Sequence, residues 1–287
     1  MANELDRLSA LEIATRMNRA DARVLRAVRE ALPQIAEAIE VIRERLSRGG
    51  RLIYVGSGTS GRIGALDASE CPPTFGTAPA LVQAMIAGGN EALSMASEGS
   101  EDSAELGASD MAGRRPGRKD VVVGLSASGQ TPYTVGALQH AHRKGAATVA
   151  VVCRLGSQLA KVCAIAIEAD VGAELLEGST RLKAGTAEKM ICNMLTTGAM
   201  ARLGFVYGNL MVQVQMKNAK LVERGIAIVR RVAKVERTAA VWALDEAEGK
   251  VPVALVMLRA GVTKAEAVRR LRRACGNIRE AMEAPNN

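Results

Sequence analysis

The sequence predicts an α/β protein whose core is a mainly parallel sheet between two layers of helices, with helices before it and a small helical domain after it. Apolar runs of strand length recur along the chain, and helical patterns separate most of them. Two of these runs end in loops of glycine and small hydroxyl residues. Strands that alternate with helices form parallel sheets covered on both faces, so the pattern predicts a three-layer αβα arrangement.

The first segment, residues 1–48, is predicted to be helical. Between about residues 8 and 46, apolar residues recur at helix-like spacing. Pro33 marks the start of a second helix, and Gly49 with Gly50 ends it.

The central domain is predicted at residues 49–232 and the last domain at 233–287. Five apolar runs predict strands at 51–55, 80–87, 120–125, 147–153 and 164–169. A long helical region follows at about 184–234, with interruptions near Gly204 and Gly208. The last segment has the pattern of three or four short helices, separated at Gly249, Gly261 and Gly276.

Composition excludes several classes of protein. The 287 residues are 48% hydrophobic but only 2% aromatic, which indicates a core built from aliphatic side chains. No apolar run approaches the roughly 20 residues of a membrane span, and no secretory leader is apparent. The five cysteines form no metal-ligand or disulfide pattern. We expect a cytoplasmic protein without a bound metal.

The net charge of +8 is concentrated near the end of the chain. Residues 226–287 contain 12 Lys/Arg and 7 Asp/Glu, a difference of +5. This segment has one aromatic residue, and its charges are spread around helices, so a solvated basic face is favoured over a nucleic-acid site.

The two hydroxyl-rich loops are the main functional signal. Residues 56–62, Gly-Ser-Gly-Thr-Ser-Gly-Arg, follow the first predicted strand, and residues 126–131, Ser-Ala-Ser-Gly-Gln-Thr, follow the third. Loops of this kind present N–H groups and hydroxyls to an anion, and the next helix adds its positive end. Because ligands bind at the carboxyl ends of parallel strands, the pattern predicts a phosphorylated small molecule there. The glycines also match a dinucleotide motif, but hydroxyls fill the intervening positions.

Glu70 is the first candidate for acid–base chemistry. A helix that starts near Gly61 would be ended by Pro72 and Pro73, which places Glu70 at its carboxyl end. The negative end of the helix dipole favours the protonated acid there. The alternative is an ordinary exposed glutamate at a helix end, and the neighbouring Cys71 has no partner histidine and is interpreted as structural.

Glu101 is the second candidate. Ser100 is predicted to cap a helix that extends to about Met111, with Glu101 in its first turn, where a carboxylate stays ionised. Helix capping alone also explains these residue types. Two carboxyl groups with opposite tendencies can supply an acid and a base to one site.

A third polar segment, residues 178–186, joins a predicted strand to the long helix. Its Ser179, Thr180, Arg181 and Lys183 suit a phosphate or carboxylate. Capping of the helix by a hydroxyl, with the cations in solvent, is the alternative.

These segments together resemble a known family. The chain resembles the N-acetylmuramic acid 6-phosphate etherases at residues 53–76, 98–103, 124–133, 172–189 and 208–212. These enzymes belong to the sugar isomerase (SIS) fold group and are related to glucokinase regulatory proteins. The resemblance covers nearly the whole chain and implies a SIS-type fold. Glu177 stands where the family usually has a small or hydroxylated residue.

The resemblance implies cleavage of the D-lactyl ether of N-acetylmuramic acid 6-phosphate without a cofactor, by elimination of lactate and addition of water. Glu70 matches the family's acid, and Glu101 matches its second active-site carboxylate, which removes the proton at C2. The resemblance also implies a homodimer. The predicted substrate-binding residues are Ser57, Thr59, Ser60, Ser126, Ser128, Gln130, Thr131, Ser179 and Lys183.

Two other functions fit the residues. A sensor that binds sugar phosphates without turnover could regulate a partner, with the basic C-terminal helices as its docking surface. An aldose–ketose isomerase of the same fold would also need a carboxylate base at C2. Release of lactate separates the etherase from both.

Overall fold

The computed structural model describes residues 4–95, 99–214, 216 and 218–284. Within them lie five strands and twelve α-helices, with short 3-10 helices at Leu5–Arg7 and Asn90–Leu93. The strands are β1 (Leu52–Gly56), β2 (Val82–Ile86), β3 (Val121–Ser126), β4 (Ala147–Val152) and β5 (Ile165–Glu168). The helices are α1 (Ala10–Glu30), α2 (Leu32–Ser47), α3 (Gly58–Phe75), α4 (Ala104–Arg114), α5 (Pro132–Arg143), α6 (Gln158–Lys161), α7 (Lys183–Arg202), α8 (Ala219–Ala233), α9 (Arg237–Glu246), α10 (Val251–Ala260), α11 (Lys264–Arg273) and α12 (Ile278–Glu283).

The five strands form one parallel sheet in the order β2-β1-β3-β4-β5. All five predicted strands are confirmed, with small differences at their ends. Because β1 and β3 are neighbours and Gly56 is in register with Leu125, the chain leaves both strands at the same edge of the sheet. This sheet and its helices confirm the predicted α/β class.

Helices cover both faces of the sheet. A side chain at Gly124 of β3 would meet Leu138 of α5, so α5 packs on that face. Residues 54 and 125 face the opposite side, where Gly64 of α3 lies against Tyr54 and Leu125. Sheet residues alternate between faces, so the register itself places α3 and α5 in different layers.

The N-terminal helices start as the sequence predicts. Ser9 accepts a hydrogen bond from the N–H of Glu12, and the carboxylate of Glu12 accepts one from the N–H of Ser9, which together form a capping box at the start of α1. Pro33 lies in the first turn of α2, where its missing N–H removes no helical bond.

Two predicted helix ends are wrong. Helix α3 continues through Pro72 and Pro73 and ends before Gly76, which has φ +66° and accepts the left-handed backbone that stops a helix. Helix α4 is capped by Ser103, whose hydroxyl accepts from Leu106 N, so Glu101 precedes the helix and is not in its first turn.

The chain divides into two compact units. The first contains residues 1–68 and 82–195, and the second contains residues 69–81 and 196–287. The units differ from the predicted domains because α3 and α7 each contribute residues to both. The domain boundaries at 48/49 and 232/233 stay a prediction.

The second unit has its own core around α10. Seven consecutive residues of α10, from Val251 to Met257, are buried, as expected for a helix surrounded by others. Helices α8, α9, α11 and α12 supply most of its remaining buried residues. The prediction of three or four short C-terminal helices with glycine breaks is confirmed, and the described residues contain four of them, α9 to α12.

None of the described helices is long and apolar enough to cross a membrane. All five cysteines lie in the described residues, and none of them forms a disulfide. Burial raises the pKa of the Cys163 thiol to about 12.

Candidate active site

The first hydroxyl loop lies between β1 and α3. Gly61 allows this close turn, because a Cβ there would lie 2.8 Å from the carbonyl oxygen of Gly56 and 2.6 Å from Ile86. Ser57 Oγ is buried without a hydrogen-bond partner among the described residues. Thr59 and Ser60 belong to the first turn of α3, whose N–H groups point towards the edge of the sheet where ligands bind.

The second loop is held in shape by its own hydroxyls. Ser126 Oγ accepts from Gly129 N at 3.0 Å and lies 2.9 Å from Thr131 Oγ1. Ser128 Oγ accepts from the N–H of Gln130 at 3.2 Å, and both residues are exposed. The loop therefore keeps Ser128 and Gln130 open to a ligand while Ser126 is buried beneath it.

The third polar segment lies beside the first loop. A Cβ at Gly185 would lie 3.4 Å from the methyl group of Thr59, which brings the start of α7 next to the start of α3. Ser179 is half-buried in this segment, just before α7. The predicted phosphate contacts therefore come from three neighbouring places at one sheet edge.

Lys183 is buried and held by backbone oxygen atoms. Its ammonium group donates to the carbonyls of Val171 at 2.8 Å and Ala173 at 2.7 Å. The carboxylate of Glu174 accepts from the N–H groups of Lys183 and Ala184 at the start of α7. Lys183 thus stabilises the segment around residues 171–173 through these hydrogen bonds. Direct contact of Lys183 with a substrate stays a prediction.

A cavity of about 750 Å³ opens at the ends of β3, β4 and β5. Ser128 and Thr180 line it, which joins the second loop to the third segment. Its charged lining residues are Arg154, Asp170, Glu174 and Glu177. Its size is suitable for a small ligand such as a hexose phosphate.

Glu101 lies next to the second loop. Its carbonyl oxygen accepts from Tyr133 N at 3.0 Å, and Tyr133 is the second residue of α5. The Glu101 side chain is exposed, so its carboxylate is accessible to a ligand.

Glu70 lies on α3 and is also exposed. It belongs to the second compact unit, whereas Glu101 belongs to the first. The convergence of the two carboxyl groups on one ligand stays a prediction. Three residues before Glu70, the carboxylate of Asp67 is buried and accepts from Tyr54 Oη at 2.9 Å and Asn193 Nδ2 at 2.7 Å.

Three charged residues near the loops were not predicted from the sequence. Arg154 follows β4 almost directly, and the rule that ligands bind at strand carboxyl ends could have found it. Glu174 and Glu188 carry no such signal, because their contacts with α7 and Ser60 arise only in the folded chain. Among the described residues, no cluster of three His, Cys, Asp or Glu side chains could hold a metal ion.

The fold and its loops first define the class of this protein. Residues 34–142 match the glucokinase regulatory protein N-terminal SIS domain, and residues 107–198 match the SIS domain. The parallel sheet with hydroxyl loops at its carboxyl edge is therefore that of a SIS-domain protein. A Bacteroides fragilis NCTC 9343 protein described as a phosphosugar isomerase involved in capsule formation shares the fold, with a TM-score of 0.52 and 19% identity over 69% of this chain and 93% of that one.

Full-length relatives define the family. The chain is 53% identical to the N-acetylmuramic acid 6-phosphate etherase of Mycolicibacterium smegmatis, over 98% of this chain and 94% of the relative. It is 55% identical to the enzyme of that name from Symbiobacterium thermophilum, over 90% and 86% of the two chains. The chain belongs to the N-acetylmuramic acid 6-phosphate etherase family.

Proposed function

We propose that this protein is a carbon–oxygen lyase that cleaves the D-lactyl ether of N-acetylmuramic acid 6-phosphate. The products are N-acetylglucosamine 6-phosphate and D-lactate, in the recycling of cell-wall sugars. The observation that carries the proposal is the identity of about half of all residues with etherases of this name over nearly the full chain.

The phosphate group is assigned to the hydroxyl loops. Helices α3 and α5 both begin at the carboxyl edge of the sheet, so the positive ends of their dipoles favour a dianion there. The assigned contacts are those of Ser57, Thr59, Ser60, Ser126, Ser128, Gln130, Thr131, Ser179 and Lys183. An anchor at the phosphate fixes the carbons at the other end of the sugar and so lowers the entropic cost of the reaction.

Glu101 is assigned as the base that removes the proton at C2. In the open-chain sugar this carbon is next to the aldehyde, which makes its proton acidic. The exposed carboxylate beside the second loop suits this role, because the loop that binds phosphate also fixes the position of Glu101.

Glu70 is assigned as the acid. The ether oxygen of lactate is a poor leaving group unless it receives a proton as the C3–O bond breaks. After lactate has left, the same group, now ionised, removes a proton from the water that adds at C3 of the unsaturated sugar, and Glu101 returns its proton to C2. Each step thus returns Glu70 to the state that the other step needs.

Assay of D-lactate tests the proposed function. The purified protein is incubated with N-acetylmuramic acid 6-phosphate, and the Glu70→Ala variant serves as the control. Release of lactate well above the control supports the etherase. Binding of the sugar phosphate without turnover would indicate a sensor. Aldose–ketose interconversion without release of lactate would indicate an isomerase. Either result rejects the proposal.

A homodimer in the cytoplasm is the proposed setting. Helix α1 exposes Leu11 and Leu25, large apolar side chains that a second copy could cover. Cysteines that form no disulfide suit a reducing compartment. Light scattering measures the mass in solution, and a monomer at micromolar concentration would contradict the dimer.

A further inference from the structure

Glu188 is a buried carboxyl group directly behind the first hydroxyl loop. It lies on α7, and none of its surface is exposed. One of its oxygen atoms, Oε1, lies 2.8 Å from Ser60 Oγ in the first turn of α3. The other, Oε2, is buried and has no hydrogen-bond partner among the described residues.

This environment disfavours a negative charge. A carboxylate would leave part of its charge on Oε2 without any hydrogen bond, whereas a carboxylic acid with its proton on Oε1 leaves only an unpaired carbonyl oxygen. Burial raises the pKa of Glu188 to about 8, although the hydrogen bond with Ser60 lowers it. At neutral pH most molecules therefore carry the neutral acid.

We propose that Glu188 is a positioning residue that, as a neutral acid, donates a hydrogen bond to Ser60 Oγ and thereby directs the Ser60 hydroxyl hydrogen towards the substrate phosphate. The phosphate dianion only accepts hydrogen bonds, so Ser60 contributes to binding only as a donor. A hydroxyl has one hydrogen, and the state of Glu188 decides where that hydrogen goes.

Ionisation of Glu188 reverses the arrangement. The carboxylate can only accept, so Ser60 must donate its hydrogen to Oε1 and present lone pairs to the ligand. The new negative charge also lies behind a loop that binds an anion and repels it in a medium of low polarity. Affinity for the phosphorylated sugar is then lost as the pH rises above about 8, the pKa of Glu188.

The other ionisable groups near Glu188 do not reproduce this effect. Cys153 at the end of β4 and Cys192 on α7 interact with its charge, and burial raises the pKa of both thiols. Both thiols therefore ionise less readily than an ordinary cysteine. Asp67 on α3, which also interacts with Cys192, has hydrogen bonds from Tyr54 and Asn193. Lys183, earlier on α7, has its ammonium group on loop carbonyls.

The inference rests on the proposed sugar-phosphate site, and a binding experiment tests it separately from turnover. The dissociation constant of N-acetylglucosamine 6-phosphate is measured by calorimetry from pH 7 to 9.5. The second pKa of a phosphate monoester is about 6, so the charge of the ligand is constant in this range. If only the neutral form of Glu188 binds, the wild-type affinity falls about 30-fold from pH 7 to 9.5.

Two variants make the result specific. Glu188→Gln places a neutral amide donor beside Ser60, so its dissociation constant should change less than about twofold between pH 7 and 9.5. Glu37→Gln, an exposed site on α2, should keep the full wild-type pH dependence. A wild-type affinity that does not change with pH, or a Glu188→Gln variant that keeps the dependence, overturns the proposal.

Proton uptake provides a readout that needs no variant. Wild-type binding at pH 8.5 should take up most of one proton, seen as a dependence of the binding enthalpy on the ionisation enthalpy of the buffer. Binding without proton uptake contradicts the proposal even if Glu188→Gln fails to fold. Release of lactate without this linkage would reject the role of Glu188 alone, whereas the linkage without lactate would reject only the etherase.

Discussion

The backbone N–H of Tyr133 donates to the carbonyl oxygen of Glu101 at 3.0 Å. Tyr133 belongs to the first turn of α5, directly after the loop that ends at Thr131. The bond therefore fixes the backbone of Glu101 relative to this loop, although 32 positions separate the two residues in the sequence. The proposed base and the proposed phosphate anchor therefore keep a constant separation, which favours proton transfer from a fixed carbon.

Replacement of Glu101 by Gln should lower the rate of D-lactate release by about 10²- to 10⁴-fold, the usual contribution of a general base. Gln keeps the size of the side chain but removes its ability to accept a proton. Asp102→Asn, at the neighbouring exposed position, is the matched control and should stay near the wild-type rate. Equal rates for Glu101→Gln and the wild type would remove Glu101 from the mechanism.

Replacement of Glu70 by Gln should separate its role from that of Glu101. Loss of the acid should slow lactate release by a similar factor, but removal of the C2 proton does not need this group. In D₂O, Glu70→Gln should still exchange the C2 hydrogen of N-acetylglucosamine 6-phosphate, as followed by proton NMR. Glu101→Gln should not. The opposite pattern would exchange the two assignments.

The strands and the edge where the loops meet could be predicted from the sequence because both depend on local patterns. A buried parallel strand is an apolar run, and the chain becomes polar at the carboxyl end of the strand. The apolar runs of β1 and β3 are therefore sufficient to predict the positions of the loops that follow them. The short C-terminal helices were found by the glycines between them, such as Gly261 with φ +64°.

Helix ends and buried partners could not be predicted in the same way. Ser100 and Ser103 are both suitable residue types to cap α4, and in the folded chain the cap is Ser103. The contact of Glu188 with Ser60 joins positions 128 residues apart in the chain, and no local pattern shows that this glutamate faces inwards. The proposed roles of Glu70 and Glu101 rest on the resemblance, because an exposed glutamate at a helix end also explains Glu70 and helix capping also explains Glu101.

Asp120 should make the stability of the protein sensitive to acid. Its Oδ1 accepts from Arg51 N and Nε, and its Oδ2 accepts from Arg51 Nη2 at 2.7 Å and Gly117 N at 3.0 Å. Burial raises the pKa of Asp120, but the hydrogen bonds from Arg51 and Gly117 outweigh it, so the pKa is lowered. The carboxylate thus contributes its full stabilisation of the fold above the ordinary aspartate pKa of about 3.9. This stabilisation is lost as the pH falls through the lower pKa that Asp120 has in the folded protein.

Asp120→Asn should lower the free energy of unfolding by about 2–3 kcal/mol at pH 7, measured by urea titration. The difference from the wild type should begin to shrink below about pH 4 and should vanish below the lowered pKa of the folded protein, where the wild-type carboxyl group is also protonated. Glu30→Gln, which breaks the exposed pair with Arg26, should change stability by less than about 1 kcal/mol. A difference for Asp120→Asn that is constant down to pH 2 would contradict the assignment.

The close packing of α4 against α5 should be essential for the position of Glu101. A Cβ at Gly136 of α5 would overlap the carbonyl oxygen of Ala104, the first residue of α4, so Gly136→Ala must push the two backbones apart. The overlap should lower the free energy of unfolding by about 1–3 kcal/mol. Because Glu101 lies three residues before Ala104, the rate of lactate release should fall as well.

Gly113 provides the matched control for this substitution. It lies on α4, and a Cβ there would have no atom within 4 Å, so Gly113→Ala should raise stability by about 0.5–1 kcal/mol through helix propensity alone. The two variants are compared by urea unfolding and by lactate release at 25 °C. If Gly136→Ala were as stable and as active as Gly113→Ala, the backbone contact between α4 and α5 would not be what fixes Glu101.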